Sequence, residues 1–410
     1  MDYQRSLSTV ERYYVSCDTQ GENAHTPCMN QIVIEGHGDV DIQELSAAIT
    51  AASQANPGSR LILKGHLGLS RWVDSGKTVR LRIVDAEGWQ GSCDAGGYFL
   101  MRALLPRTGP TTDAVLVTRD GGKYFLIFRT HHGVMDGRGT QHFVNDVFRI
   151  LNGDTPLGEN NRLNDVELAG LVSSQEKANN LSCDVLPPTG TQVTDTQGES
   201  GRWIRRTITG RHKSLLARVA LEIAKYTRAN GANTVRFQLP VDMRGRKENL
   251  HSTANLTGGI VLDVSAQTTI EDWNSDIRQQ ILLKKEAEIP RFFRFFPFQL
   301  LNWVPLWVMK SSNTRLANKR RSEVRFRTTG IISNLGLLSL SEFSGAGFMA
   351  DSIFFIPPEF DTTALFVTLT GHENGVEILM RAPGYLDGGR LDELMGFVVD
   401  GLQNRLELAS

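Results

Sequence analysis

The chain has 410 residues, 40% of them hydrophobic and 22% charged, with 44 Lys and Arg against 45 Asp and Glu. That length supports about two to three domains, or two large lobes each burying its own core, and the composition excludes a mainly disordered or fibrous chain. A net charge of -1 gives no general reason to expect nucleic acid or an anionic membrane as partner.

The opening MDYQRSLSTVERYYV has no basic stretch followed by an apolar core, so no signal peptide is predicted. No run of about 18 uncharged apolar residues predicts a membrane-spanning helix, and the expected location is cytoplasmic. Cys17, Cys28, Cys93 and Cys183 lie far apart, with neither CxxC pairs nor His at zinc spacing. Reduced thiols and no metal site are expected.

In chain order, Asn30 to Glu35 predicts a strand. A helix capped near Asp41 follows, with Ile42, Leu45 and Ile49 on one face. Ala114 to Thr118 and Tyr124 to Phe128 flank the turn-rich Arg119-Asp120-Gly121-Gly122, a hairpin signal. A helix from Gly137 to Leu151 would bury Phe143, Val144, Val147 and Phe148, and Asn152-Gly153-Asp154 would end it. From about Thr155 to Ser200 the sequence turns polar and reads as a partly extended connector. Beyond it come a helix from His212 to Arg228, strands at Thr234 to Val241 and Gly259 to Val264, and a helix near Asp272 to Glu288. A hairpin within residues 364–381 and a helix from Leu391 to Leu406 close the chain. This order predicts two α/β lobes of comparable size, residues 1–180 and 204–410, joined by a linker over 181–203.

The sharpest signal is FLIFRTHHGVMDG, residues 125–137. His131 and His132 leave the end of an apolar strand, and Asp136 and Gly137 open a helix. Strand alternation sends the two histidines to opposite faces, so only one can face a given cleft. Histidine titrates near neutrality and can take a proton from a hydroxyl or amine as that group attacks a carbonyl. Asp136 could orient the ring, pair with a distant Arg, or simply cap the helix; spacing alone does not decide. By chance an HHxxxDG match arises on the order of once per thousand such chains.

HHGVMDG resembles the HHxxxDG signature of the CoA- and carrier-protein-dependent acyltransferase superfamily. That superfamily includes chloramphenicol acetyltransferase, nonribosomal-peptide condensation domains, wax ester synthases and polyketide-associated acyltransferases. LPVDMR, residues 239–244, and Ile332-Ser333-Asn334-Leu335-Gly336 are similar to two further strand motifs of the family, and Gly384-Tyr385-Leu386-Asp387 to its C-terminal region. The resemblance implies an α/β fold of two chloramphenicol-acetyltransferase-like lobes in a V-shaped pseudo-dimer, with a tunnel between them. It makes His132 the general base, His131 a supporting histidine and Asp136 a structural partner aimed at Arg244. Gly137 would permit close packing at the helix start, and Ser333 and Asn334 would face the base across the tunnel.

The DFGWG motif of the superfamily's plant-type members is absent from the C-terminal third, and no carrier-protein or adenylation segment accompanies HHxxxDG. The expectation is therefore a free-standing acyltransferase. Acyl-CoA or a phosphopantetheine thioester on an acyl or peptidyl carrier protein would be the co-substrate, with a small-molecule hydroxyl or amine as acceptor and no bound cofactor. The alternatives are a stand-alone condensation enzyme using carrier-bound substrates and a non-catalytic binding scaffold. A serine hydrolase finds no GxSxG elbow. Two stretches remain open. RFFRFFPFQLLNWVPLWVM, residues 291–309, reads as buried aromatics or as an acyl-chain or membrane-surface contact. Lys310 to Arg321 reads as a solvated loop, or as a donor-docking site through Lys319, Arg320 and Arg321.

Overall fold

The computed structural model describes residues 3–17, 28–86, 88–172, 184–193 and 201–407. The first part contains β1 (Gln4–Ser6), α1 (Thr9–Cys17), β2 (Met29–Gly38), α2 (Ile42–Ala55), β3 (Leu61–Lys64), β4 (Arg71–Asp74) and β5 (Leu81–Asp85). It continues through β6 (Thr112–Arg119), β7 (Lys123–His131), α3 (Gly137–Leu151) and α4 (Asp165–Ala169). The second part begins with β8 (Arg202–Thr209), α5 (Leu215–Ala229), β9 (Val235–Asp242), β10 (Thr257–Val264), α6 (Ile270–Leu282), α7 (Glu288–Phe292) and α8 (Leu306–Glu323). It ends with β11 (Gly330–Leu337), β12 (Phe348–Ile356), β13 (Phe366–His372), β14 (Gly375–Ala382), α9 (Gly384–Asp387) and α10 (Arg390–Glu407).

The hairpin β6–β7 forms as its sequence predicts, with Ala114 opposite Phe128 and Thr118 opposite Tyr124. Alternation along β7 sends Leu126 and Phe128 toward α2 and α3, where they meet Leu45, Ile49, Phe143 and Val147. Phe125 and Ile127 point the other way, into a cluster with Trp89, Phe99 and, from the second part of the chain, Trp203 and Leu379. Each such fully buried side chain contributes about 1.5–3 kcal/mol of hydrophobic stabilisation. The second core lies under α5, α6 and α10, on one face of a sheet ordered β10-β9-β11-β13-β14-β8.

The sheets do not divide along the chain as the expected lobes do. The first large sheet is ordered β12-β2-β7-β6-β5, so its outer strand comes from beyond residue 340. Strand β12 runs antiparallel to β2, from Phe348 opposite Gly38 to Ile356 opposite Gln31. Its sequence explains the crossing. Ile353 and Phe355 fill the core under α2 and α3, while Phe354 and Ile356 fill the opposite cluster, so the strand is apolar on both faces and needs a sheet with both faces covered.

The connector carries α4, opened by a capping box in which Asn164 and Glu167 satisfy each other's backbone amides. Residues 181–183 and 194–200 of the expected 181–203 linker, Cys183 among them, lie outside the described residues. Cys17, Cys28 and Cys93 form no disulfide with one another. Among the described residues no helix is long and apolar enough to cross a membrane.

Candidate active site

Strand β7 ends at His131, and the chain then turns sharply into α3. The turn is held from three sides. The His132 amide donates to the Cys28 carbonyl at 2.9 Å, the Asn255 side chain donates to the His132 carbonyl at 3.0 Å, and Arg5 donates to the Val134 carbonyl at 2.9 Å. Arg5 is itself paired with buried Glu11 of α1. His131 points into the protein and is fully buried; its Nδ1 accepts from the Gly133 amide at 3.0 Å. His132 faces the other way, into a cavity of about 260 Å³.

The His132 ring is held at Nδ1, which lies 3.2 Å from both the Met135 carbonyl oxygen and the Asn30 side-chain nitrogen. In the tautomer with the proton on Nδ1, that nitrogen donates to the carbonyl. Asn30 donates to the same carbonyl at 2.7 Å. Nε2, on the opposite edge, is then the basic nitrogen. Tyr14 of α1 stacks on the imidazole with ring centroids 4.0 Å apart, and Phe360 lies 6.1 Å away. Burial pushes the imidazole pKa down to about 4, with the Met135 carbonyl and Asp136 opposing only part of that shift. The ring is neutral at pH 7. The Tyr14 phenol, raised by burial, keeps its proton.

Asp136 does not touch the His132 ring. Its carboxylate caps α3 by accepting from the Gly139 amide at 2.6 Å, and it accepts from the Leu256 amide and the Thr257 hydroxyl, each at 2.7 Å. Arg244 completes the arrangement with bonds of 3.0 and 3.2 Å to the two carboxylate oxygens. Burial alone would raise the Asp136 carboxyl, but the Arg244 guanidinium holds it below the usual carboxylate range. Arg244 also donates to Asp242 and to the Ser252 carbonyl. The ion pair therefore pins the histidine turn to the β9 and β10 strands of the second sheet. Arg246, two residues further along, pairs with Glu286.

The cavity lies between this turn and the exposed face of the second sheet. Gln238 and Pro240 of β9, Gly259 of β10, and Ile331, Ser333 and Asn334 of β11 line it, opposite His132 and Tyr14. The register of β11 against β13 shifts between Asn334 and Leu337, where Gly336 adopts φ 78°. The Gly336 amide donates to the Asn334 side-chain oxygen at 2.9 Å, which leaves the Asn334 amide group as the available donor. Gly137 lines the cavity, and a Cβ there would come within 3.3 Å of the Phe355 ring. The tighter approach is at Gly139, where a Cβ would meet the Thr253 carbonyl at 2.0 Å.

The predicted residues His132, Asp136, Gly137, Arg244, Ser333 and Asn334 thus come together. The three basic residues proposed for donor docking do not join them. Residues 310–321 belong to helix α8 rather than to a loop. Arg320 is buried and donates to the Arg325 carbonyl, Arg321 lies over the Tyr385 ring at 5.2 Å, and Lys319 pairs with Glu323 at 3.7 Å. The sequence reading missed Tyr14, Asn30, Thr257, Gly139 and Phe360. The paired tyrosines of α1 carried a signal as an aromatic pair on a short amphipathic helix; the others act through contacts between distant segments.

No family model and no curated protein matches the sequence. Solved structures do match. The first condensation domain of the calcium-dependent antibiotic synthetase, in complex with a substrate analogue, is 15% identical and aligns over 98% of this chain and 95% of its own, with a TM-score of 0.64. Polyketide synthase associated protein 5 from Mycobacterium tuberculosis is 14% identical over 96% of both chains, with a TM-score of 0.59. TRI101 of F. graminearum, complexed with ethyl coenzyme A, is 14% identical over 96% of this chain and 97% of its own, with a TM-score of 0.57. What these identities establish is architecture, and by its architecture the chain has the two-lobed α/β fold of the condensation domains and coenzyme A-dependent acyltransferases.

Proposed function

We propose that the protein is an acyltransferase that moves an acyl group from a coenzyme A or carrier-protein thioester to a hydroxyl or amine of a small molecule. His132 Nε2 takes the acceptor's proton as its oxygen or nitrogen attacks the thioester carbonyl carbon. The tetrahedral adduct then collapses, the carbon–sulfur bond breaks, and the departing sulfur takes the proton from the imidazolium. No acyl-enzyme is formed. Ser333 and the Asn334 amide are the donors proposed for the adduct's oxyanion. A thiolate is a good leaving group, so one base, positioning and an oxyanion donor suffice.

The observation that carries this reading is the setting of His132: neutral, with Nδ1 against the Met135 carbonyl and the Asn30 side chain, and the ring lining a cavity shared with Ser333 and Asn334. An imidazolium formed there is stabilised by the nearby Asp136 charge and by the oxyanion, both of which favour proton transfer in the transition state. The test is to incubate the protein with a panel of acyl-CoAs and carrier-bound acyl groups and follow thiol release with candidate acceptors. His132→Ala should lower acyl transfer by at least about a hundredfold while the fold stays intact by circular dichroism. Near-normal turnover in that variant would remove the base assignment and favour a non-catalytic scaffold.

A further inference from the structure

The aromatic segment does not pack into the core. Phe296 is 79% exposed, Trp307 72%, Leu69 64% and Trp303 57%. Phe296, Trp303 and Trp307 fall close together in the chain, and Leu69 adjoins the loop residue on which Trp303 packs. Trp303 packs on the loop of Gly68, between Leu67 and Leu69; Arg294 lies against Gly170, next to exposed Leu171; and the Phe292 and Phe298 rings meet at a tilt with centroids 3.8 Å apart. Buried Arg12 of α1 ties the two loops together by donating to the Leu67 and Val304 carbonyls. At its inner edge the surface reaches the cavity, because Ile289 and Pro290 of α7 line it. Apolar exposure on this scale marks an interaction site.

Within the aromatic segment and the helix that follows it, the charge has one sign until Glu323, which pairs with Lys319. Between residues 289 and 322 the chain carries seven Lys and Arg and no Asp or Glu, although its overall net charge is -1. Arg294, Arg315 and Lys319 are exposed. We propose that the surface carrying Phe296, Trp303, Trp307 and Leu69 docks the protein on a lipid bilayer with anionic headgroups. Trp and Phe side chains favour the boundary between headgroups and acyl chains, and basic residues beside them are attracted to an anionic leaflet. The segment is too short and too interrupted to span, so it lies on the membrane. A second copy of the chain fits less well, since a shared face would set these cations against each other. The docking is independent of the proposed acyl transfer.

The test is sedimentation of the full chain with sucrose-loaded vesicles of phosphatidylcholine alone or with about one-third phosphatidylserine, over a salt series. Binding should be at least about tenfold stronger to the anionic vesicles and should weaken as salt rises. The double variant Phe296→Ser/Trp307→Ser should lose at least about tenfold in vesicle partitioning while melting as the wild type does. Arg294→Glu/Arg315→Glu should lose the preference for anionic lipid. The proposal is overturned by wild-type protein that stays in the supernatant, by partitioning that the aromatic variant leaves unchanged, or by a wild-type dimer that this variant dissociates.

Discussion

At position 132 two demands compete. A base must be unprotonated at working pH, yet strong enough to hold a proton briefly. Burial settles the first by depressing the pKa to about 4. The acid limb of kcat/KM should therefore fall near pH 4–5 and not near the ordinary histidine value of about 6.5, with a flat region through neutrality. The same shift bears on stability. The unfolded chain takes up this proton below about pH 6.5 and the folded chain only near pH 4, so the contribution of His132, at most about 3 kcal/mol, is full above pH 6.5 and lost as pH falls toward 4. His132→Ala should flatten the stability profile in that window; an unchanged profile by chemical denaturation would contradict the shift. Asp136 should behave oppositely to His132 in mutagenesis. Asp136→Ala leaves the partly buried Arg244 with only Asp242 as carboxylate partner, a cost of about 3–5 kcal/mol in harsher cases, so melting temperature and activity should fall together. A variant that lost rate without losing stability would give Asp136 a direct catalytic role.

At the scale of elements, the start of α3 is a site of close approach. Gly139→Ala should destabilise through its clash with the Thr253 carbonyl, whereas Gly137→Ala meets only the edge of the Phe355 ring and should be tolerated better. Equal melting temperatures for the two variants would sink that distinction. The helices α2, α3, α5 and α10 and the two long hairpins were legible in the sequence because each is long and strictly periodic. The histidine turn was legible because its chemistry lies in seven consecutive residues. Helix α1 was not: it has nine residues and earns its position through Glu11, which accepts from the Ser8 amide at 3.0 Å and pairs with Arg5. Nor was β12, whose apolar run says that it is buried on both faces but not in which sheet. The short strands β1, β3 and β4 pair only with one another, and nothing in two-residue alternation over three or four residues distinguishes them from loop. The aromatic segment was ambiguous for a different reason: composition reports apolarity, and only the packed structure reports exposure.

Over the whole molecule, one guanidinium joins the two large sheets. Arg205 of β8 donates to Glu377 of β14 at 2.7 Å, to Ser352 of β12 at 2.8 Å and to Glu35 of β2 at 3.2 Å, and it lies 4.0 Å from the Phe354 ring centroid. Glu377 also accepts from the His372 ring at 3.1 Å. Together with the Trp203 and Leu379 side chains in the first sheet's cluster, this network should make the lobes unfold as one unit. Calorimetry should show a single transition, and Arg205→Met should lower it by removing the cation that faces Glu377 and Glu35, a loss of about 3–5 kcal/mol at the upper end. Two well-separated wild-type transitions would refute the coupling.

The crossing of β12 also sets a timetable for synthesis. A ribosome releases β2, β6 and β7 long before it reaches residue 348, so the nascent first sheet waits with the whole outer edge of β2, from Gln31 to Gly38, unpaired. The middle of that edge, Ile32 to Ile34, is apolar, and an open apolar edge is the kind of template on which neighbouring chains add. Residues 1–210 made alone should accordingly collect in the insoluble fraction. The protein completes its first sheet only after most of its second half has been made, and its maturation in a cell is a matter of guarding one strand until its late partner arrives.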